Sequence, residues 1–218
     1  MNKRLIVKWI SLASLLLFNN SSVWADLGSD VHHLQKRWAE VNYQLEGKAQ
    51  IIAFETLLDE AANVTAQYPQ DAPAWIWSGI IKSTYAGAKG GIGALKFAKA
   101  SKADLEKAIK IEPEAMNGSA YTSLGTLYFN VPGWPIGFGD DDKAEKYLLK
   151  AIAINPDGID SNYFLADYMK SEKRYQEAES YLLKAQSAPG RPDRPVADSG
   201  RQEEIALALT VVRKELGR

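Results

Sequence analysis

Residues 121–156 read YTSLGTLYFNVPGWPIGFGDDDKAEKYLLKAIAINP, and the fold follows from how this stretch is punctuated. Tyr121, Leu124, Gly125 and Tyr128 recur at helical spacing, and Ala144, Leu148 and Ala151 do so again before Pro156 stops the run. Gly125 beside Leu124 is a small residue where a second helix can approach closely, while the larger residues fill the space between neighbouring pairs. Outward from here the second half of the pattern repeats. Leu57-x3-Ala61-x2-Val64-x4-Pro69 and Ser101-x3-Leu105-x2-Ala108-x4-Pro113 precede it, and Ala178-x3-Leu182-x2-Ala185 follows, with Pro189 one residue early. The first half recurs as Trp75-x2-Ser78-Gly79 and Asn162-x2-Leu165-Ala166.

This combination resembles the tetratricopeptide repeat, with residues 121–156 as the most faithful copy and the first helix of the first copy degenerate. Pro69, Pro113 and Pro156 are spaced 44 and 43 residues apart, against about 34 for the repeat, so the second and third units carry insertions of roughly ten residues. Those insertions are glycine-rich: ten of the sixteen glycines lie between Gly79 and Gly139. They are expected to be loops, which is where a scaffold acquires function.

The expected fold is all-α, a right-handed αα superhelix of about four helix pairs, with units near 30–69, 72–113, 116–156 and 159–190. A C-terminal capping helix over 199–216 covers the exposed end. Nine helices are predicted, at 30–46, 49–67, 72–86, 97–111, 117–130, 141–154, 159–171, 174–187 and 199–216. Asp30, Asp71 and Asp140 or Asp141 are candidate N-caps, and Asp142-x2-Glu145 reads as a capping box.

Composition narrows the function. The chain has 218 residues, 46% hydrophobic and 24% charged, with mean hydropathy −0.27, the balance of a folded protein. A net charge of −1 without a long basic run argues against nucleic acid. The absence of cysteine removes thiol catalysis, disulfides and thiol-linked lipid anchors. Lys3, Arg4 and Lys8 form a positive head, residues 9–18 an apolar stretch too short to span a bilayer, and Val23-Trp24-Ala25 a peptidase-type site. Residues 1–25 are therefore expected to be a signal peptide, with residues 26–218 exported to a periplasm as a soluble domain.

A second resemblance is narrower. From Pro132 to about Leu209, the segments Gly-Trp-Pro-Ile-Gly-Phe-Gly-Asp, Asn-Pro-Asp-Gly-Ile-Asp-Ser-Asn-Tyr-Phe and Pro-Gly-Arg-Pro-Asp-Arg-Pro-Val-Ala-Asp are similar to the T-component family of TRAP transporters. That resemblance implies a periplasmic scaffold that associates with a substrate-binding subunit and holds a small hydrophobic or carboxylate ligand. The lipidated members' cysteine is missing here, which points to a free form.

In such helix pairs the first helix lines the concave surface, so Thr122, Thr126, Phe129, Asn130, Tyr163, Asp167 and Lys170 are candidate ligand or partner residues. They read equally well as an ordinary solvated face in which Asp167 and Lys170 pair. Trp134 and Phe138, in a loop stiffened by two prolines, read either as a structural plug or as a lid over a site. Gly87-x2-Gly90-Gly91-x-Gly93 lacks the preceding strand and the following Lys of a phosphate cradle. Asp140-Asp141-Asp142 suits a helix start rather than a calcium loop, and the adjacent His32 and His33 point about 100° apart on a helix. No metal, cofactor or catalytic group is expected. The expected function is a non-enzymatic periplasmic binding or adaptor protein, with a small apolar or carboxylate ligand and an envelope partner subunit. The alternative is an interaction scaffold in envelope assembly that holds a peptide or helix in its concave groove.

Overall fold

The computed structural model describes residues 21–218, with side chains from Leu27 onward. The expected leader falls largely on residues 1–20, outside the described residues. Nine helices make up the described chain: α1 (Ser21–Gln44), α2 (Gly47–Gln67), α3 (Ala72–Lys89), α4 (Gly91–Ile111), α5 (Ala115–Asn130), α6 (Asp141–Ile154), α7 (Ile159–Ser171), α8 (Tyr175–Gln186) and α9 (Pro195–Glu215). No strand occurs among the described residues, as the all-α expectation required.

Successive helices pair as antiparallel hairpins, α1 with α2 through α7 with α8. Within each hairpin the small-residue register decides how close the helices come. A Cβ on Gly79 would stand 2.6 Å from Leu105 Cγ, and one on Gly125 would stand 2.6 Å from Leu148 Cγ. Ala166 and Leu182 occupy the matching positions of the last hairpin, both fully buried. Each of these leucines is worth about 1.5–3 kcal/mol by burial, so the alanine–leucine spacing of the outer helices is what holds each unit together.

The odd-numbered helices form the inner layer. α1 packs on α3, α3 on α5, α5 on α7 and α7 on α9, and α9 in turn packs on α1. The superhelix thus closes into a ring of five inner helices. A Cβ on Gly200 of α9 would fall 2.3 Å from the Tyr43 ring of α1, so this seam depends on glycine there.

Several sequence expectations need correction. The insertion in the second unit is not a loop. α3 and α4 run to 18 and 21 residues, against 13 and 12 for α7 and α8. Residues 87–96 are absorbed as extra helical turns, because alanine, leucine and lysine sit among the glycines and no proline interrupts them. The reversal needs only Gly90 and Gly91, both at positive φ (62° and 65°), where a side chain is disfavoured. The insertion in the third unit is a loop, since Pro132 and Pro135 remove two amide donors and disfavour helix in the residues before them.

α5 opens on three left-handed residues, Met116, Asn117 and Gly118, so its regular turns begin only after Gly118. Asp30 lies inside α1 and accepts a hydrogen bond from the Tyr68 hydroxyl at 3.1 Å rather than capping a helix. Asp71 stands at the N-cap of α3 without a side-chain bond. Asp140 caps α6 by accepting from the Lys143 amide at 3.0 Å, while Glu145 turns to Arg174 and makes no capping box. α9 begins at Pro195 rather than 199, and it seals the ring as well as covering α8.

Candidate functional site

The ring encloses a cavity of about 810 Å³. Trp38 and Asn42 reach it from α1, Ser83, Thr84 and Gly87 from α3, and Ala94, Leu95 and Ala98 from α4. Thr126, Leu127 and Asn130 come from α5, Tyr163 and Phe164 from α7, and Arg201 and Glu204 from α9. Space remains because the α3–α4 turn contributes glycines and alanines where bulkier residues would fill it. Val131, Pro132 and Ile136 complete the wall from the α5–α6 loop. Ile92 and Ile136 mark the mouth and are 101% and 68% exposed.

A smaller chamber of about 110 Å³ adjoins the cavity, sharing Trp38, Ser83, Thr84, Thr126, Phe164 and Arg201 with it. Trp77, Ser119, Thr122, Ser123, Asp160 and Arg194 are among the residues that line only this inner space. Most of its hydroxyls are spent on their own helices. Ser83 and Thr84 donate to Ile80 O, Ser119 to Met116 O and Thr126 to Thr122 O. None of these four is paired with a base, so the hydroxyl row offers polarity rather than a nucleophile.

A charged cluster fastens α9 to this wall. Asp160 accepts from Arg201 Nε at 2.9 Å on one oxygen and from Arg191 at 2.7 Å on the other. Arg201 also pairs with Glu204, and its guanidinium lies 4.3 Å from the Tyr163 ring centre and 4.5 Å from that of Phe164. Arg191 is shared with Asp198. Burial alone would raise the Asp160 pKa, but the guanidiniums of Arg201 and Arg191 outweigh it and hold the carboxyl at about 2. Glu204 moves the other way: burial raises its proton affinity more than Arg201 lowers it. Burial, with Glu204 nearby, pushes the Tyr163 hydroxyl up to about 12. Tyr43, whose hydroxyl lies 3.4 Å from Glu204, is also raised by burial.

The sequence-predicted residues separate into two groups. Thr126, Asn130 and Tyr163 line the main cavity, and Thr122 lines the inner chamber. The others lie elsewhere. Phe129 packs edge-on against Tyr168 at 5.7 Å, and Asp167 and Lys170 pair with each other at 2.6 Å along α7. Phe138 folds back on Tyr128 at 5.6 Å, whereas Trp134, four residues earlier, is 89% exposed. Plug and lid were expected to be alternatives for both rings, yet only Phe138 turns inward.

Sequence reasoning passed over Ile92, Ile136, Arg194, Arg201 and Glu204. Arg201 and Glu204 were legible only as the polar start of a capping helix. The open concave groove is replaced by the wall of a ring. Among the described residues no group of three or more histidines, aspartates and glutamates is placed to hold a metal, and no helix is long and apolar enough to cross a membrane.

The tetratricopeptide repeat family model matches residues 136–157, the end of the α5–α6 loop and α6. Among solved structures, the crystal structure of TTC0263, a thermophilic TPR protein in Thermus thermophilus, aligns with a TM-score of 0.54 at 16% identity, covering 84% of this chain and 99% of that one. A structure described as the functional characterization of Pseudomonas aeruginosa pilF aligns over 85% of this chain and 93% of its own at 14% identity, with a TM-score of 0.35 that is too low to argue from. No curated protein matches the chain. The first likeness and the matched repeat agree with the helical-pair superhelix described above.

Proposed function

We propose that this protein is a non-enzymatic interaction scaffold that docks a partner polypeptide at the rim of its ring. The observation that carries this reading is the set of large apolar side chains left in solvent at the two insertions: Ile92 in one, Trp134 and Ile136 in the other. Exposed apolar residues gathered at one edge mark an interaction surface more often than a passive one. The tetratricopeptide-like architecture supports a scaffold role, while closure of the ring moves the docking surface from the concave face to its edge. The periplasmic location expected from residues 1–25 belongs to this proposal. Sequencing the N-terminus of the protein isolated from its native cells tests it, with a chain beginning at Asp26 as the expected result and retention of residue 1 as the contrary one. The transporter-accessory role implied by residues 132–209 is less well supported, since neither the matched repeat nor the helical neighbour reaches beyond the fold.

A photoreactive phenylalanine at position 134 tests the rim. Irradiation in native cells is expected to give one dominant protein adduct, lost when Ile92 and Ile136 are changed to Asp. The same adducts from a photoreactive residue at Leu207, an exposed position on α9, would refute a specific docking surface.

A second reading is carried by the cavity itself. A space of about 810 Å³ is within the range of small-molecule sites, and its aliphatic lining with a few polar groups is of the usual kind. In this reading the ring is a receptor for a small ligand, and the rim and the cavity act together or separately.

A further inference from the structure

No further helix follows α9 among the described residues to cover its outward side. It buries Arg201, Ile205, Leu209 and Val212 where it rests on α1, α7 and α8. On the opposite side Glu203, Ala206, Leu207, Thr210, Val211 and Lys214 are all exposed. They form one stripe, because they fall at i, i+3, i+4, i+7, i+8 and i+11 of a helical period. Terminal helices of repeat arrays carry a polar outer face, whereas this one carries Leu207 at 69% and Val211 at 50% exposure. Leu183 of α8, also exposed, stands at the height of Leu207. That register is set by Gln202 Nε2, which donates to Gln186 O at 3.2 Å, and by Arg213 Nε, which donates to Glu179 at 2.9 Å.

The order of the stripe is complementary to its own reverse. An antiparallel copy, turned about a point midway between Ala208 and Leu209, sets Glu203 against Lys214, Leu207 against Thr210 and Val211 against Ala206. Each large side chain then faces a smaller one, as interdigitating helices require, and each end joins opposite charges. Those charges are free to do so. Ion pairs around α9 engage Asp198, Arg201, Glu204 and Arg213, whereas Glu203 and Lys214 make none among the described residues. A parallel copy would oppose Glu203 to Glu203 and Lys214 to Lys214, so the charges select the antiparallel arrangement.

We propose that two copies of this chain associate through α9, packed antiparallel about a two-fold axis. An interface of that symmetry uses the same patch on both partners, which must therefore be complementary to itself. One helix pair flanked by α8 is smaller than a standard interface of about 1,600 Å², so association is reversible and follows concentration. The stripe belongs to α9 and not to the insertions that form the rim, so the inference goes beyond the rim reading and does not depend on it. A dimer carries two rims, and a partner that is itself multivalent is held more tightly by two than by one.

The test is sedimentation equilibrium of the mature chain, residues 26–218, from about 1 to 500 μM. The mass is expected to rise from that of one chain to that of two. Leu207→Asp combined with Val211→Asp is expected to stay monomeric at every concentration with unchanged helix content, since both side chains are exposed. Glu203→Lys alone and Lys214→Glu alone each set like charges together at both ends of the pair, and each should weaken the dimer by about tenfold or more. An equimolar mixture of these two variants should regain the native affinity, as should a chain carrying both changes. A photoreactive residue at position 207 should give an adduct of twice the chain mass in native cells, different from the adduct formed at position 134. A native chain that stays monomeric overturns the proposal, and so does a dimer that survives the two Asp substitutions or a charge reversal that the mixture does not rescue. An adduct from position 207 to another protein, or to residues 1–20 of the same chain, overturns it too. The adduct from position 134 decides the rim reading by itself in every case.

Discussion

The second and third units carry insertions of similar length and fold them in opposite ways. Residues 87–96 extend two helices by further turns around a two-glycine reversal, while residues 131–139 leave the helices altogether and form a loop. Glycine is abundant in both, so glycine is not what separates them. Proline is: the first insertion has none, and its helix-favouring neighbours offset the glycine cost of about 1 kcal/mol each. In the second, two prolines forbid the regular bonding, and the loop is tied instead by Gly139 N–H to Pro132 O at 3.0 Å and Asp140 N–H to Tyr128 O at 2.9 Å. Both insertions nevertheless meet at the same cavity, one supplying a wall of small residues and the other its lip. The lesson is that surplus chain becomes a site here by two different physical routes.

The largest expected effect lies outside both insertions and provides the scale for them. Asp160→Ala takes a shared carboxylate from Arg191 and from Arg201, which is 6% exposed, and is expected to cost about 3 kcal/mol in urea unfolding at neutral pH. Because the folded-state pKa of Asp160 is depressed from 3.8 to about 2, its contribution is complete above about pH 4. It should be lost as the pH falls through 2, and the variant should lack that segment of the acid titration. An acid profile identical to that of the native chain would show that the cluster does not fasten the ring.

Gly79→Leu and Gly125→Leu compare the two hairpins directly. Each forces a side chain against the facing leucine and is expected to cost about 1–3 kcal/mol or more. If the helical insertion stiffens its unit and the loop insertion does not, the losses will differ by more than about 1 kcal/mol; similar losses mean that pair packing ignores what lies beyond it.

Gly139→Ala and Gly87→Ala should differ in sign. A Cβ at 139 would stand 1.9 Å from Val131 O, whereas Gly87 faces open space. The first is expected to destabilise by about 1–3 kcal/mol, and the second to stabilise by up to about 0.5–1 kcal/mol by removing a glycine from the last turn of α3. Melting temperatures shifting in the same direction would contradict the helix-versus-loop distinction. The smallest effect is that of Trp134→Ser, expected within about 0.5 kcal/mol of the native stability because the ring touches little, so any loss of cross-linking to a partner is then a loss of contact alone.

What was legible in the sequence is what depends on near neighbours. The Ala144–Leu148–Ala151 spacing and the glycine at 125 report a contact within one hairpin, and the helix pairs follow from it. Thr126, Asn130 and Tyr163 were found because the inner face of a first helix is readable from its period. Ring closure was not readable, since it sums small rotations over four units and joins Tyr43 to Glu204 across 161 residues of sequence. For the same reason Arg194 and Arg201 looked like the connector and the polar start of a cap, although their partners are Trp77 and Asp160. Nor does local composition say which of Trp134 and Phe138 turns inward; that is decided by where the Tyr128 ring stands.

The seam between α9 and α1 changes what kind of object this repeat array is. An open array is a one-dimensional stack whose stability adds up unit by unit, and which tolerates the gain or loss of a unit at either end. Once the last inner helix rests on the first, the stack acquires a periodic boundary: each unit has two neighbours, and no unit is terminal. The number of helices becomes a geometric constant, because inserting or deleting one pair would part Tyr43 from Gly200. Folding of the described chain should then be all-or-none, completed only when its most distant helices meet, at the expense of the modularity by which linear repeats lengthen and shorten.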